Sequence, residues 1–444
     1  MNTIFIKKRT IYSLLFAFLI TPLFAQSTDT WTNKLAPISE SDWDYAKARH
    51  LIDRVGFGEK PKNIERFVRM GPRASVRELV YFQSIPKHLD DFDHSGIFDP
   101  GIEPFPSSRP AATKLAKETG EAIGVRVKPN GNRRLQPVVD RFFYWLRASM
   151  LETRRVAYWW ANRMLLSNRP LEEKMALFWH GHFATNEEKV RDYRKLLQQN
   201  AVFREYGTGN FKELLTQVSQ DPAMLDFLDA GVNIKGSPNE NFAREIMELF
   251  TMGVGNYTEQ DIREGARAFT GWNHRDLNFV LNADQHDSSQ KTFLDKTGNW
   301  DGLDIIDMIL EKPVTAEYIS GKIYKFFVRE NIDPALQEEL ASFFYNSEYE
   351  ITPLLEKIFL SQDFYSSASM GTHIKSPTDL VVSTYKKLGL NVLPGVPDFH
   401  DTTQSLGQTL LFPPTVAGWA GGKSWLTPGL LLARGNFVYD TVYP

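Results

Sequence analysis

The residues Phe178-Trp179-His180-Gly181-His182-Phe183 set two imidazoles two positions apart. Such a pair can ligate zinc, iron or copper once a third ligand arrives from another segment, which would make the cofactor a single divalent or transition metal held by His180 and His182. The geometry hangs on Gly181. If Gly181 ends a helix, both rings can enter one cavity from an extended exit; in a continuous helix they diverge by about 200°. The plainer alternative is that each histidine bonds the carbonyls at a helix C-terminus.

A second group lies in Asn239-Glu240-Asn241-Phe242-Ala243-Arg244-Glu245-Ile246-Met247-Glu248. At helical spacing Asn241, Glu245 and Glu248 share a stripe, with Phe242, Ile246, Leu249 and Phe250 on the opposite one. Two carboxylates and an amide suit a general acid/base pair or hard-metal ligands. A solvated face, salt-bridged through Arg244, Arg263 or Arg267, needs no ligand. A third group is Gln285-His286-Asp287 with Lys291 four residues on. Arg191, Arg194 and Trp272-Asn273-His274 would complete a polar cavity lined by aromatics, suited to a sugar. On this reading His180, His182, Glu245, Glu248, His286 and Asp287 supply acid/base or metal chemistry. Arg191 and Asn241 bind substrate, Arg244 and Lys291 anchor negative charge, and Trp272 is a stacking surface.

Familiar templates are missing. The chain contains no His-Glu-x-x-His and no Gly-x-Ser-x-Gly. Gly418-Trp419-Ala420-Gly421-Gly422-Lys423-Ser424 imitates a phosphate loop, but its first Gly comes one place too late and Pro413-Pro414 argues against a feeding strand. It reads as a Gly-rich turn on which Trp419 and Trp425 pack.

The elements that must carry these groups are helices. Apolar residues recur at helical spacing with matching punctuation: Asp42 to Val55 stopping at Gly56, then Ile64, Phe67 and Val68 ending at Gly71. Val138–Leu151, Val156–Leu166 and Leu171–His180 follow as aromatic-rich helices. Ser237-Pro238 has the form of an N-cap with Pro at the first helical position, and Gly253 of a C-cap. Thr258 and Asp261 have capping-box spacing. Further helices are expected over Leu303–Leu310, Ala316–Val328, Ala335–Tyr345, Pro353–Leu360 and Leu380–Leu388. Asn278 to Leu294 breaks the pattern as a small β-hairpin. The fold class is therefore mainly α: a large multi-helix globular domain with a small β-hairpin insertion. Residues 26–85 form an N-terminal helical cap, 86–134 an irregular surface excursion, and 135–444 the main helical body.

The chain of 444 residues carries 51 Lys+Arg against 54 Asp+Glu, which excludes a protein basic throughout and built to coat nucleic acid. Lys7, Lys8 and Arg9, the apolar run Ile11 to Ile20 and Leu23-Phe24-Ala25 read as a signal peptide over 1–25. Cys is absent, so no disulfide, thiolate nucleophile or Cys-ligated metal exists. No later window is long and apolar enough to span a membrane. The expectation is an exported protein, periplasmic or extracellular.

Ordered motifs link these segments: Phe178 to Thr185, Asp221-Pro222-Ala223-Met224-Leu225, Pro238 to Glu245, Glu248-Leu249-Phe250-Thr251, Tyr257-Thr258-Glu259, Arg267 to Trp272, His286-Asp287, Lys291 to Leu294, and Pro413-Pro414 with Gly418-Trp419. Together, from about His50-Leu51 to Leu432-Ala433-Arg434, they resemble the bacterial family called domain of unknown function 1800. The resemblance implies an exported helical protein without an established activity. It is often encoded beside a second, phosphatase- or sulfatase-like exported family, which suggests a partner of that kind and extracellular polymer metabolism. The 86–134 excursion departs from the pattern. The leading expectation is an enzyme acting on a hydroxylated or anionic polymer of the cell envelope, with a glycan as ligand. The rivals are a non-enzymatic scaffold in an envelope assembly and a metal-dependent oxidoreductase.

Overall fold

The computed structural model describes residues 30–98 and 136–443, with side chains resuming at residue 144. The expected signal segment, residues 99–134 of the excursion and residue 135 lie outside the described residues. Helices dominate, and the only sheets among the described residues are two small antiparallel hairpins. No described helix is long and apolar enough to cross a membrane. One hydrophobic core runs from Leu35 to Phe437, so the N-terminal helices Tyr45–Val55 and Pro61–Val80 share it with the rest of the chain.

The helix Pro170–His182 lies at the centre, buried at every position from Leu171 to His180. A helix apolar on all sides belongs inside a protein, but this one also carries Glu172, Glu173 and Lys174, and buried charges need partners. Arg169 meets Glu172, Arg163 meets Glu173 at 2.8 Å, and Lys174 meets Asp379 at 3.0 Å. Pro170 at the first helical position supplies a preset φ where its missing N–H costs nothing. The helix Tyr193–Tyr206 packs against it.

Many expected boundaries hold. Asp44 and Gly56 flank Tyr45–Val55, and the Thr258–Asp261 capping box opens Glu259–Ala268. Four expectations need correction. Val138–Leu151 and Val156–Leu166 are one helix, Gln136–Leu166, because Glu152 to Arg155 contains no Gly or Pro to interrupt it. Pro238 opens no helix: Ser237 pairs with Ile234 in a β-bridge, and Asn241–Glu248 starts after Asn239 Oδ1 has accepted the Asn241 N–H. Gly253, at φ +78°, closes a turn beyond that helix and does not cap it. The insertion holds two hairpins: β1 (Trp272–Arg275) pairs with β2 (Asn278–Leu281), and β3 (Lys291–Phe293) with β4 (Lys296–Gly298). Each strand run pairs with its nearest neighbour, the shorter loop to close.

Residues 86–98 contain no helix or strand, yet they are no free surface loop. Phe92 and Phe98 are buried, Phe92 against Trp159 and Phe98 against Trp145 and Tyr193.

Candidate functional site

The central helix continues through Gly181 to His182, so the two imidazoles part company. His180 points to one side, where its Nε2 accepts the Leu411 N–H at 3.0 Å and its ring sits edge-on between Trp160 and Trp419. Burial drops its pKa to about 3, so it is neutral. His182 points to the other side. Its Nε2 faces the Phe250 carbonyl at 3.0 Å, and a carbonyl only accepts, so Nε2 carries the proton. Nδ1 is left with a lone pair, 3.4 Å from the Lys322 Nζ. Burial, and then the Lys322 charge, hold this imidazole neutral, well below its usual pKa. The two rings therefore share no position for a common ligand. Among the described residues the one set of three potential metal ligands close together is Asp398, His400 and Asp401, elsewhere in the fold.

His182 opens onto a cavity of about 580 Å³. Its wall includes Lys322 and Phe326 of the helix Pro313–Phe327, its floor Lys174, His373 and Asp379, and its roof the segment Ala417–Trp425. The roof is seated on the end of the central helix. Gly418 has φ +76°, and a Cβ there would overlap the Gly181 carbonyl oxygen, so only glycine permits the approach. Glu330 fixes the same segment by accepting the Lys423 N–H at 3.2 Å. Trp419, half-buried, forms part of the lining.

The lining is cationic: Lys174, Lys322, Lys325 and Lys423 against Asp379 and Glu330. Two of these lysines are perturbed, in different settings. Lys174 is buried beside Asp379, with its ammonium 4.6 Å from the Phe57 ring centre; burial lowers its pKa to about 8 despite the carboxylate. Burial would raise Asp379, but the Lys174 charge and then Lys375 outweigh it and hold the acid ionised. Asp379 Oδ1 finds no hydrogen-bond donor among the described residues. Lys322 has no carboxylate partner there either. It lies over the Tyr318 ring at 4.7 Å, and burial, then Lys325, bring its pKa to about 8. Burial, then Arg54, holds His373 neutral, down to about 2. Arg54 itself donates to the Phe326 and Phe327 carbonyls at 2.6 and 2.7 Å, capping the helix that carries Lys322.

The other expected site residues stand apart from this cavity. Glu245 is half-buried, and burial, then Glu248, raises its pKa; Glu248 accepts the Tyr257 hydroxyl at 2.6 Å. Arg244 is held by Glu259 and Glu240, the salt-bridged alternative for that face, and Asn241 donates to the Leu228 carbonyl. His286 Nδ1 faces the Thr270 carbonyl at 2.9 Å. Asp287 receives Arg267 at 2.8 Å, and Lys291, 1% exposed, donates to the Asp287 and Ser289 carbonyls. Lys291 thus ties down its own loop and is no anchor for a ligand. Trp272 is 3% exposed, packed among Phe242, Phe269 and Phe279, and has no free face for stacking. Arg191, at φ +58°, donates to the Glu188 carbonyl at 3.0 Å. No hydrogen bond, ion pair or ring contact among the described residues joins His286 or Asp287 to His180, His182, Glu245 or Glu248.

Of the expected residues, His182 alone lines the cavity. Sequence reasoning missed Lys174, Lys322, His373 and Asp379. Lys174 did leave a signal, as a lone cation in the aromatic run Lys174-Met175-Ala176-Leu177-Phe178-Trp179.

Residues 50–442 match the family model described as protein of unknown function, DUF1800. No curated protein and no solved structure matches the chain.

Proposed function

The chain belongs to the DUF1800 family, whose description assigns no activity, and from its own site we propose that the cavity binds an anionic, hydroxylated ligand, a segment of a glycan-type polymer on which the protein acts. The observation that carries this reading is Lys322, a half-buried ammonium in the cavity wall without a carboxylate partner among the described residues. A buried charge without a partner is costly, and an incoming anion relieves that cost. Asp379 Oδ1, buried and without a donor, is matched to a ligand hydroxyl. Trp419 offers an aromatic face to a sugar ring, and Lys325 and Lys423, both exposed, draw anions to the mouth. The proposal includes export, supported by the signal-like residues 1–25.

The test is calorimetric titration with sulfate and with a uronic-acid oligosaccharide. Both should bind, and Lys322→Gln should weaken them roughly 10- to 100-fold, the worth of one charge-assisted hydrogen bond. Unchanged affinity in that variant, or no binding to the wild type, overturns the reading.

A second reading, a scaffold that docks the phosphatase- or sulfatase-like protein suggested by the resemblance, is favoured by a different observation. The last helix, Pro428–Val442, and the residue after it expose Leu431, Leu432, Tyr439 and Tyr443, at 58 to 69%. Exposed apolar groups gathered on one element are a common mark of a binding face. Co-purification of that partner, abolished by Leu432→Glu with Tyr439→Glu, would support it.

A further inference from the structure

Within that cavity Lys322 is placed as a nucleophile as well as a cation. An activated nucleophile is recognised by a base within hydrogen-bonding reach that is itself oriented by a third group. Here Lys322 Nζ lies 3.4 Å from His182 Nδ1, and His182 is fixed by its Nε2–H bond to the Phe250 carbonyl at 3.0 Å. That bond leaves Nδ1 no role except to accept, so it turns the amine hydrogens toward itself and the nitrogen lone pair away from itself. Lys325, one helical turn on, adds a second positive charge, which favours the neutral amine. Lys174 shows the contrast in geometry: more deeply buried, its ammonium is engaged by the Asp379 carboxylate at 3.0 Å and has no oriented acceptor like His182.

We propose that Lys322 forms an imine with a carbonyl compound that also bears an anionic group, such as the open-chain aldehyde end of a uronic or phosphorylated sugar. This rests on the cavity being the ligand site. The Nζ lone pair makes the C–N bond and the carbonyl π pair moves to oxygen, which takes one proton shed by the nitrogen and a second from solvent. Loss of that oxygen as water leaves a protonated C=N bond. One water is released and no oxidation level changes, so no redox partner is needed. His182 Nδ1 acts as a positioning group: it accepts a hydrogen bond from the amine and so holds the nitrogen lone pair toward the cavity. The low pKa of Lys322 agrees with this role, because near pH 8 about half of the amine is neutral.

The experiment treats the full chain with glyoxylate and sodium cyanoborohydride at pH 8 and maps carboxymethyl-lysine by peptide mass analysis. Lys322 should be labelled roughly tenfold faster than Lys325 and Lys423, since it is the half-buried lysine whose lone pair an oriented acceptor turns toward the cavity, while the other two are exposed. Equal rates at the three lysines overturn the proposal. Lys322→Arg, which has no amine to condense, should lose the fast adduct. Sulfate titration in parallel separates the two ideas: sulfate binding with unselective labelling defeats the imine and leaves the anion site standing. Selective labelling without sulfate binding defeats the anion site. His182→Gln, checked for a native melting curve, should slow labelling of Lys322 and leave Lys325 unchanged; unaltered Lys322 labelling removes His182 from the role.

Discussion

At the scale of single residues, the buried pair Lys174–Asp379 is a local commitment of charge. Both side chains are almost wholly inaccessible and 3.0 Å apart. Removing one partner leaves the other charged in a poorly solvating place, so Lys174→Met should cost about 3–5 kcal/mol. The double variant Lys174→Met, Asp379→Asn should recover much of that, because neither charge then remains to be buried. Urea unfolding of the three proteins gives the comparison; a double variant no better than the single one would show that the pair is not the source of the cost. This pair also marks where single-sequence reasoning stops. Thr258 and Asp261 were legible as a cap because their partnership spans one helical turn. Lys174 and Asp379 meet only through tertiary packing, and neither has a neighbour that announces the other. Lys322 was equally silent, a lysine on an amphipathic helix like many that simply face water.

At the scale of elements, the contact between the roof and the central helix decides the shape of the site. Gly418→Ala must take a left-handed conformation and push its methyl group against the Gly181 carbonyl. We expect a loss of at least about 1–2 kcal/mol from the backbone strain alone, together with weaker sulfate binding. Gly435→Ala is the control: it lies in the last helix, nothing stands within 4 Å of its added Cβ, and it should be neutral or slightly stabilising. Melting curves with and without sulfate check both. The Gly-rich segment was visible in the sequence as a turn, but not what it covers. The divergence of His180 and His182 was likewise undecided by residue type, because glycine ends helices often and is also tolerated in a last turn. Here the helix runs one residue past it.

At the scale of the whole molecule, the buried titratable groups give stability a slope with pH. His50 and His180 are lowered to about 3, His373 to about 2, and His182 well below its usual value, each chiefly by burial. Below about pH 6.5 the unfolded chain binds protons at these four sites and the folded chain does not, so acidification favours unfolding. Burial works oppositely on Glu187 and Asp221, raised to about 8 and 7. These two keep protons in the folded state that the unfolded state has released, and their contribution fades as pH rises through those values. Between pH 5 and 6.5 the four histidines tilt stability upward with pH, while Glu187 and Asp221, joined by Glu173 and Glu245, which burial also raises, tilt it downward. His180→Gln retains an acceptor for the Leu411 N–H but no longer titrates; its slope in that window should fall by about one proton, ~1.4 kcal/mol per pH unit near full protonation of the unfolded site. Denaturant titrations at several pH values measure this directly. A mainly helical molecule was legible from periodicity, because an amphipathic repeat is a property of each segment alone. How three of these histidines came to be buried and the fourth, His373, half-buried was not, because burial is conferred by other segments.

The roof of the cavity is also the part of it that a ribosome makes last. Arg54, Lys174, His182 and Lys322 are all synthesised before Ala417–Trp425 exists to close over them. A chain arrested or trimmed short of that segment could keep its early helices and still have no enclosed site, only an open trough of lysines. Competence to hold a ligand thus waits until synthesis has passed Trp425, and a fragment that stops short of that segment lacks it.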